Sequence, residues 1–308
     1  MIDCVTVDLP FRIVGGLSTG GVYALIAIGY TLVYGVLQLI NFAHSEVFMG
    51  GVLTGFLVLE LLVPAGGVGQ AQGAAYLLVA LLPAMLASGM LAVTIERIAY
   101  RPLRRRGAPR LAYLISAIGM SFFLAYSVQV WRGVVPEAYP RTLRAQAVFE
   151  VGRLRVFNRD LIVIGTALLM VVALEAFMHR TKTGRAIRAT AQDAEAAALM
   201  GVNIDRVISV TFFLGGLLAG AAGLLFGMSF GRTQWNIGFL PGIKAFTAAV
   251  LGGIGSIRGA LVGGLGLGLL ENISAGCLGP EWRDVFAFVA LVAVLMFRPS
   301  GLFGEKAL

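Results

Sequence analysis

A short polar cluster interrupts an apolar stretch in the first fifth of the chain. Asn41, His44, Ser45 and Glu46 bring an amide, an imidazole, a hydroxyl and a carboxylate together within six residues. An ionisable side chain at membrane depth costs about 2.5 to 3.5 kcal/mol on insertion scales, so it requires water, a partner or a helix break. Asn41, His44 and Glu46 are therefore candidates for lining a substrate pathway. The alternative is an interfacial turn in which Asn41 or Ser45 caps the next helix, and the sequence favours neither.

Glycines interrupt a second apolar segment, between residues 241 and 271. The stretch GGIGSIRG, residues 252–259, has four glycines in eight positions, and each disfavours a helix by about 1 kcal/mol relative to alanine. We therefore expect two short helices with a break between them. Because broken helices whose ends face a cavity are a common way to build a transport pathway, Gly253, Gly255 and Arg258 are further candidate pathway residues.

These two segments resemble each other loosely. INFAHSEVFMGGVLTG in the first half and FLPGIKAFTAAVLGG in the second each place a polar break before a short helix of small residues. The similarity makes an inverted repeat possible.

A third segment is suited to binding another protein. Residues 184–200 contain no proline and can form about four helical turns, with Ala191, Ala194 and Ala198 on one face. A helix that is polar on one side and smooth on the other fits a groove in a partner. The alternative is an ordinary surface helix.

Familiar catalytic and metal-binding patterns are absent from the sequence. It contains no GxxxxGK[ST] or HExxH motif, and its two cysteines and two histidines do not cluster. We therefore predict no catalytic residue, no metal site and no cofactor held by this chain. If ATP drives the protein, another chain binds it.

Composition indicates which elements position these residues. Of 308 residues, 58% are apolar and 13% are charged, whereas about a quarter of a soluble domain is charged. A spanning helix needs about 20 apolar residues, so the chain has room for about eight to ten transmembrane helices, some of them broken or re-entrant. We expect an all-α polytopic membrane protein in which residues 1–308 form a single transmembrane domain.

The placement of charge predicts the orientation. The net charge is +8, but most basic residues lie between apolar stretches, where orientation signals belong, so no nucleic-acid binding is expected. Loops 97–110 and 179–206 are separated by two spans, share a side and are rich in arginine, which places both in the cytoplasm. Loop 132–160 lies opposite, and its alternating residues around Gly152 predict a small surface hairpin.

Five blocks of the sequence carry a family resemblance. In chain order they are GGLSTGGVYALIAIGYTLVYGVLQLINFAHSEVFMG, IERIAYRPLR, GRAIRATAQDAEAAALMGVNIDRVI, GIKAFTAAVLGGIGSIRGALVGGLGLGLLE and FRPSGLFG. They resemble the LivH-type permease subunit of branched-chain amino acid ABC importers, and the resemblance spans nearly the whole chain.

The resemblance implies a non-catalytic permease domain that forms half of the translocation pathway for branched-chain or similarly hydrophobic amino acids. It implies a place in the bacterial cytoplasmic (inner) membrane and several partners besides the lipid bilayer. These are a second permease, usually a different related chain, two cytoplasmic ATPase subunits that bind ATP and Mg, and a periplasmic or extracellular amino-acid binding protein.

The resemblance also assigns ATPase coupling to four residues. Glu195, Ala196 and Ala197, followed by Gly201, resemble the EAA loop by which ABC permeases contact their ATPases. The isoleucine, leucine and proline that end the wider pattern are missing. Ser45 departs from the family too, since related permeases more often have glycine there.

Other functions remain open at this point. A permease for urea or short amides is similar in the same blocks. Composition alone would allow an ion-coupled secondary transporter, which the EAA-like loop argues against. An intramembrane enzyme is disfavoured because no nucleophile and base pair stands out.

Overall fold

The computed structural model describes residues 9–64, 68–143, 146–151, 154–298 and 300–303. Within these ranges seven helices are long and apolar enough to cross a membrane, and the shorter α9 and α11 accompany them. The prediction of an all-α polytopic membrane protein is confirmed. In chain order the helices are α1 Leu9–Leu37, α2 His44–Leu62, α3 Gln70–Arg105, α4 Arg110–Arg132, α5 Asn158–Arg180, α6 Lys182–Gln192, α7 Ala194–Leu199, α8 Ile204–Phe230, α9 Phe239–Gly252, α10 Ile257–Leu278 and α11 Trp282–Phe297.

Two small antiparallel ribbons lie in the connections. The strands are β1 Glu137–Ala138, β2 Ala147–Val151, β3 Leu154–Phe157 and β4 Arg232–Thr233, with β1 paired to β4 and β2 paired to β3. The β2–β3 pair confirms the hairpin predicted in loop 132–160. Tyr139 attaches this loop to α2, since its hydroxyl donates to the carbonyl of Val52 at 3.2 Å. Burial raises the pKa of the Tyr139 phenol, which keeps the donor protonated.

The core is built on close crossings of helix backbones. α1 packs most extensively against α10. A Cβ atom placed on Gly20 would lie 2.8 Å from the Cα atom of Leu265, and one on Gly264 would lie 2.5 Å from the Cα atom of Ala24. Only residues without a side chain allow such an approach, as in other membrane bundles.

The predicted continuous helix over residues 184–200 is wrong. α6 ends at Gln192, Asp193 adopts an extended conformation with φ of −152°, and α7 begins at Ala194. The Asp193 carboxylate accepts hydrogen bonds from the N–H groups of Glu195 and Ala196, each at 2.9 Å. Aspartate is favoured at this capping position because it satisfies the first free N–H groups of a helix. These local bonds of Asp193 therefore start a new helix, α7, where α6 would otherwise continue.

The expectation of two short helices around the 252–259 break holds for only one of them. α9 has 14 residues, whereas α10 has 22 and is long enough to span a membrane. The break itself is present, since α9 ends at Gly252 and α10 begins at Ile257.

Candidate functional site

The start of α2 lies inside the helix bundle. Asn41, His44, Ser45 and Glu46 are each no more than 6% exposed. Oε1 of Glu46 accepts a hydrogen bond from Ser121 at 3.1 Å, and Ser121 lies midway along α4. The cluster is therefore enclosed within the bundle, level with the middle of α4.

Side-chain capping of α2 does not explain the cluster. The residue before α2 is Ala43, which has no side-chain cap. Ser45 donates to the carbonyl of Phe42 at 2.7 Å, and Asn41 is engaged with another helix, as described below. Asn41 is thus used in a tertiary contact and Ser45 donates to a local carbonyl, whereas a capping side chain accepts a hydrogen bond from a free N–H group of its own helix.

The start of α9 meets the start of α2. A Cβ atom on Gly242 would lie 2.4 Å from the Cβ atom of Ser45, and one on Gly238 would lie 2.2 Å from the carbonyl oxygen of Ser45. The polar segment that follows α8 thus runs back to the mid-height of the bundle before α9 begins. Two helices that start within the bundle now face one another, an arrangement that also occurs among the broken helices of transporters.

A cavity of about 320 Å³ opens beside these two helix starts. This volume lies at the lower end of the range of small-molecule sites, about 300 to 1,000 Å³. Its walls are mainly apolar and come from α1, α2, α4, α9 and the two polar links. The lining residues are Tyr30, Phe42, Ser45, Glu46, Ile118, Ser121, Phe122, Ala125, Tyr126, Trp235, Asn236, Phe239, Gly242, Ile243 and Phe246.

Of the three predicted pathway residues in the cluster, only Glu46 lines this cavity. The imidazole of His44 packs between helices instead, 4.8 Å from the Tyr30 ring between centroids. A Cβ atom on Gly29 would lie 2.2 Å from Nε2 of His44, so the glycine makes room for the ring. Oδ1 of Asn41 accepts a hydrogen bond from Tyr100 of α3 at 2.7 Å. Both residues hold the helix start in place.

The other three predicted pathway residues follow the far end of α9. That end lies about 20 Å from the start of α9 at the cavity, since the helix has 14 residues that rise about 1.5 Å each. Gly253 and Gly255 have φ of 101° and 104°, a region that favours glycine. Arg258 is 78% exposed and pairs with Glu175 of α5 at 2.7 Å. The structure therefore does not bring these residues together with the α2 cluster.

A short C-terminal segment closes the end of α9. The N–H groups of Leu302 and Phe303 donate to the carbonyls of Leu251 and Gly252, both at 2.9 Å. The last carbonyls of a helix have no partner within it, so this segment satisfies two of them.

The predicted coupling residues lie in and after α7, on the surface except for one. Glu195 and Ala196 are exposed, whereas Ala197 is buried. Gly201 has φ of 84°, its N–H donates to Ala198, and the N–H of the next residue, Val202, donates to Ala197. This pair of bonds is a Schellman motif, so the helix stops at Gly201.

Two large apolar side chains beside this motif were missed. Leu199 and Met200 are 89% and 85% exposed. The available signal was their position directly before a helix-stopping glycine in an otherwise polar loop. They give the α7 end a small apolar surface.

An ion-pair network joins the end of α3 to the start of α8, the helix that follows α7. Glu96 is fully buried and contacts Arg101 at 2.9 Å and Arg104 at 3.3 Å, and Arg104 contacts Asp205 of α8 at 2.5 Å. Ser209 donates to Glu96 at 3.0 Å. Glu96 begins the π-helical turn Glu96–Tyr100, a deviation that often occurs at functional sites. The network joins the two arginine-rich loops on one face.

A second buried ionic cluster joins α9, α10 and α11. Nζ of Lys244 in α9 contacts carboxylate oxygens of Glu271 in α10 at 2.8 Å and Asp284 in α11 at 2.5 Å. Tyr23 of α1 donates to Glu271 at 3.0 Å. Four helices therefore meet at one ionic cluster.

Comparison with known proteins gives one consistent result. The family model described as branched-chain amino acid transport system / permease component matches residues 12–295. The chain is 43% identical over 297 residues to the high-affinity branched-chain amino acid transport system permease protein BraD of Pseudomonas aeruginosa, over 96% of this chain and 95% of the relative. It is 42% identical to the corresponding protein LivH of Escherichia coli K12, over 94% of each. No solved structure matches it.

Proposed function

This chain belongs to the family of permease components of branched-chain amino acid transport systems, and we propose that it forms half of the translocation pathway of an ATP-driven importer for branched-chain amino acids. Two relatives with 42–43% identity over nearly their full length are named as permeases of such systems. The seven apolar helices make it a multi-pass membrane protein.

The observation that best supports the pathway is the meeting of two helix starts at a cavity inside the bundle. Ser45 of α2 and Gly242 of α9 are in contact there, and the surrounding walls are mainly apolar. Such a cavity suits a small hydrophobic solute that carries polar groups at one end. We propose Glu46 as a pathway residue, with Asn41 and His44 fixing the helix start and Gly253, Gly255 and Arg258 forming the cytoplasmic end.

We propose that α7 is the contact with the ATPase. Glu195, Ala196 and Gly201 supply the exposed polar residue, the small surface and the helix stop, while Ala197 packs the helix against its own chain. Leu199 and Met200 add apolar area to the contact. ATP and Mg belong to the partner subunits in this proposal.

The proposed assembly contains two permeases, of which the second is a different related chain, and two cytoplasmic ATPase subunits. A periplasmic or extracellular binding protein delivers the amino acid. The proposed location is the bacterial cytoplasmic membrane, with the α6–α7 loop inside. The residues singled out in this chain have structural, pathway or coupling roles, and ATP hydrolysis is assigned to the separate subunits.

Uptake by the reconstituted importer tests the proposal. Proteoliposomes that contain this chain, its second permease and the ATPases are supplied with the binding protein, ATP inside, and radiolabelled leucine or urea outside. We expect ATP-dependent accumulation of leucine and none of urea. If urea accumulates and leucine does not, the chain is a permease for urea or short amides. Uptake of leucine in the absence of ATP would indicate an ion-coupled carrier.

A further inference from the structure

One oxygen of the Glu46 carboxylate has no partner in the part of the chain that the structure describes. Oε1 accepts hydrogen bonds from Ser121 at 3.1 Å and Ser45 at 3.3 Å, whereas Oε2 is buried and unpaired. The residue is 2% exposed and lines the cavity. A buried carboxylate oxygen without a partner is unfavourable, so a donor that enters the cavity would stabilise it.

The charge of the cavity wall indicates what kind of donor this is. Among the described lining residues Glu46 is the only carboxylate, and none is a lysine or an arginine. With Glu46 ionised, the site repels an isolated anion and is complementary to a cation. A charged donor also makes a stronger hydrogen bond to a carboxylate than a neutral amide does.

The rest of the wall indicates what the cation is attached to. Ile118, Phe122, Ile243 and Phe246 come from α4 and α9 and lie along the cavity. Together they form an aliphatic and aromatic surface beside the single charge. A solute with an ammonium group at one end and a short branched hydrocarbon at the other is complementary to both parts.

We propose that this cavity is a substrate-binding station within the permease, in which Oε2 of Glu46 accepts hydrogen bonds from the α-ammonium group of a hydrophobic amino acid. The apolar walls hold its side chain, and the neutral donors Trp235 and Asn236, which also line the cavity, are available to its carboxylate. The inference rests on the proposed function and adds to it that the permease recognises the substrate itself, apart from the binding protein.

A photoreactive leucine tests the station directly. The importer, complete with its second permease and ATPases but without the binding protein, is placed in lipid nanodiscs and irradiated with a diazirine analogue of leucine. We expect labelled peptides from residues 118–126 and 239–246. Excess leucine should prevent this labelling, whereas 4-methylpentanoate, which lacks the ammonium group, should not.

Matched variants separate recognition from folding. Glu46→Gln keeps the size and one acceptor oxygen but removes the charge, and we expect it to weaken leucine-protected labelling by about tenfold or more. Glu60→Gln, on the same helix but 53% exposed beside Arg132, is the control and should label normally. Ser121→Ala removes a bond to Oε1 but leaves Oε2 free, so it should retain most labelling.

The outcomes are distinct. Equal losses in Glu46→Gln and Ser121→Ala, together with reduced recovery of the complex, would mean that Glu46 only holds α4 against α2 and would overturn the inference. Normal labelling of Glu46→Gln, or protection of the wild type by 4-methylpentanoate, would also overturn the inference. The proposed function would then still stand, provided that the wild-type importer takes up leucine. If the wild type accumulates no branched-chain amino acid, the proposed function fails, and with it the substrate class named here.

Discussion

The hydroxyl group of Tyr100 donates a hydrogen bond of 2.7 Å to Oδ1 of Asn41. Tyr100 ends the π-helical turn of α3, and Asn41 lies just before α2. The same turn begins at Glu96, which is bonded to Arg101 and to Ser209 of α8. Polar contacts therefore connect the start of α8, next to the proposed ATPase contact, with the helix start at the cavity.

Removing this bond should destabilise the helix start. Tyr100→Phe leaves Oδ1 of Asn41 buried without a donor, which costs about 1 to 3 kcal/mol. We expect a lower apparent melting temperature of the purified complex and slower leucine uptake. Tyr113→Phe is the control, because its hydroxyl forms no hydrogen bond within the described residues while its ring also lies beside Tyr100. Equal behaviour of the two variants would argue against a specific role for the bond.

The helix stop at Gly201 should be required for ATPase binding. Gly201→Val places a β-branched residue at a φ of 84°, where only glycine and, less often, asparagine are readily accommodated. We expect loss of ATPase co-purification, whereas Gly201→Asn should retain it. Full retention in the valine variant would contradict the coupling role of this segment.

The exposed apolar residues at the end of α7 give a second test of the same contact. Leu199→Ser removes a side chain that is 89% exposed, so the fold of the isolated chain should be unaffected. ATPase retention should fall, since a small apolar contact would be lost. The exposed Gln192→Ser at the end of α6 is the matched control. If Leu199 faces only solvent, both variants will retain the ATPase equally.

The glycine break after α9 should be essential for transport. Gly253→Leu with Gly255→Leu introduces side chains at two positive φ angles without altering a span. Insertion into the membrane should remain normal while leucine uptake is abolished. Ile254→Leu, between the two positions, keeps both glycines and should transport normally. Normal uptake by the double variant would remove this segment from the pathway.

The Lys244 and Glu271 pair should show a strong dependence on both partners. Lys244→Met leaves the carboxylate of Glu271 fully buried. Among the described residues, Tyr23 and the more distant Arg283 are then its remaining partners, and breaking a buried pair typically costs about 3 to 5 kcal/mol. We expect a large drop in apparent melting temperature. Adding Glu271→Gln should restore much of it, because the unpaired charge is then removed. A double variant no more stable than the single one would contradict this account.

Labelling of single cysteines should establish the orientation. The Arg104 and Asp205 pair already joins loops 97–110 and 179–206 on one face. Gly107→Cys and Thr183→Cys are exposed positions on that face, and Val135→Cys is exposed in the opposite loop. In intact cells a membrane-impermeant reagent should label Val135→Cys more strongly than the parent chain, whereas labelling of the other two variants should equal that of the parent chain. The reverse pattern would invert the orientation.

Composition and local pattern were sufficient for the class of protein and for several local features. Twenty-residue apolar runs can be satisfied in a membrane only by helices, so the polytopic fold followed from hydropathy. The break at residues 252–259, the hairpin around Gly152 and the stop at Gly201 followed because glycine and alternating residues act over a few positions. The break between α6 and α7 at Asp193 also has a local cause, but the spacing of the alanines favoured one continuous helix and led to the wrong prediction.

Only the tertiary structure decided what each polar residue does. Asn41, His44 and Glu46 are neighbours in sequence, yet one bonds to α3, one packs against Gly29 and one lines the cavity. Residues on a helix point in different directions at 100° intervals, so their roles depend on which helix packs against each face. The pairing of Lys244 with Glu271 and of Arg104 with Asp205 likewise joins residues that are distant in sequence. Such contacts arise from the packing of whole helices, which hydropathy and local propensity do not specify.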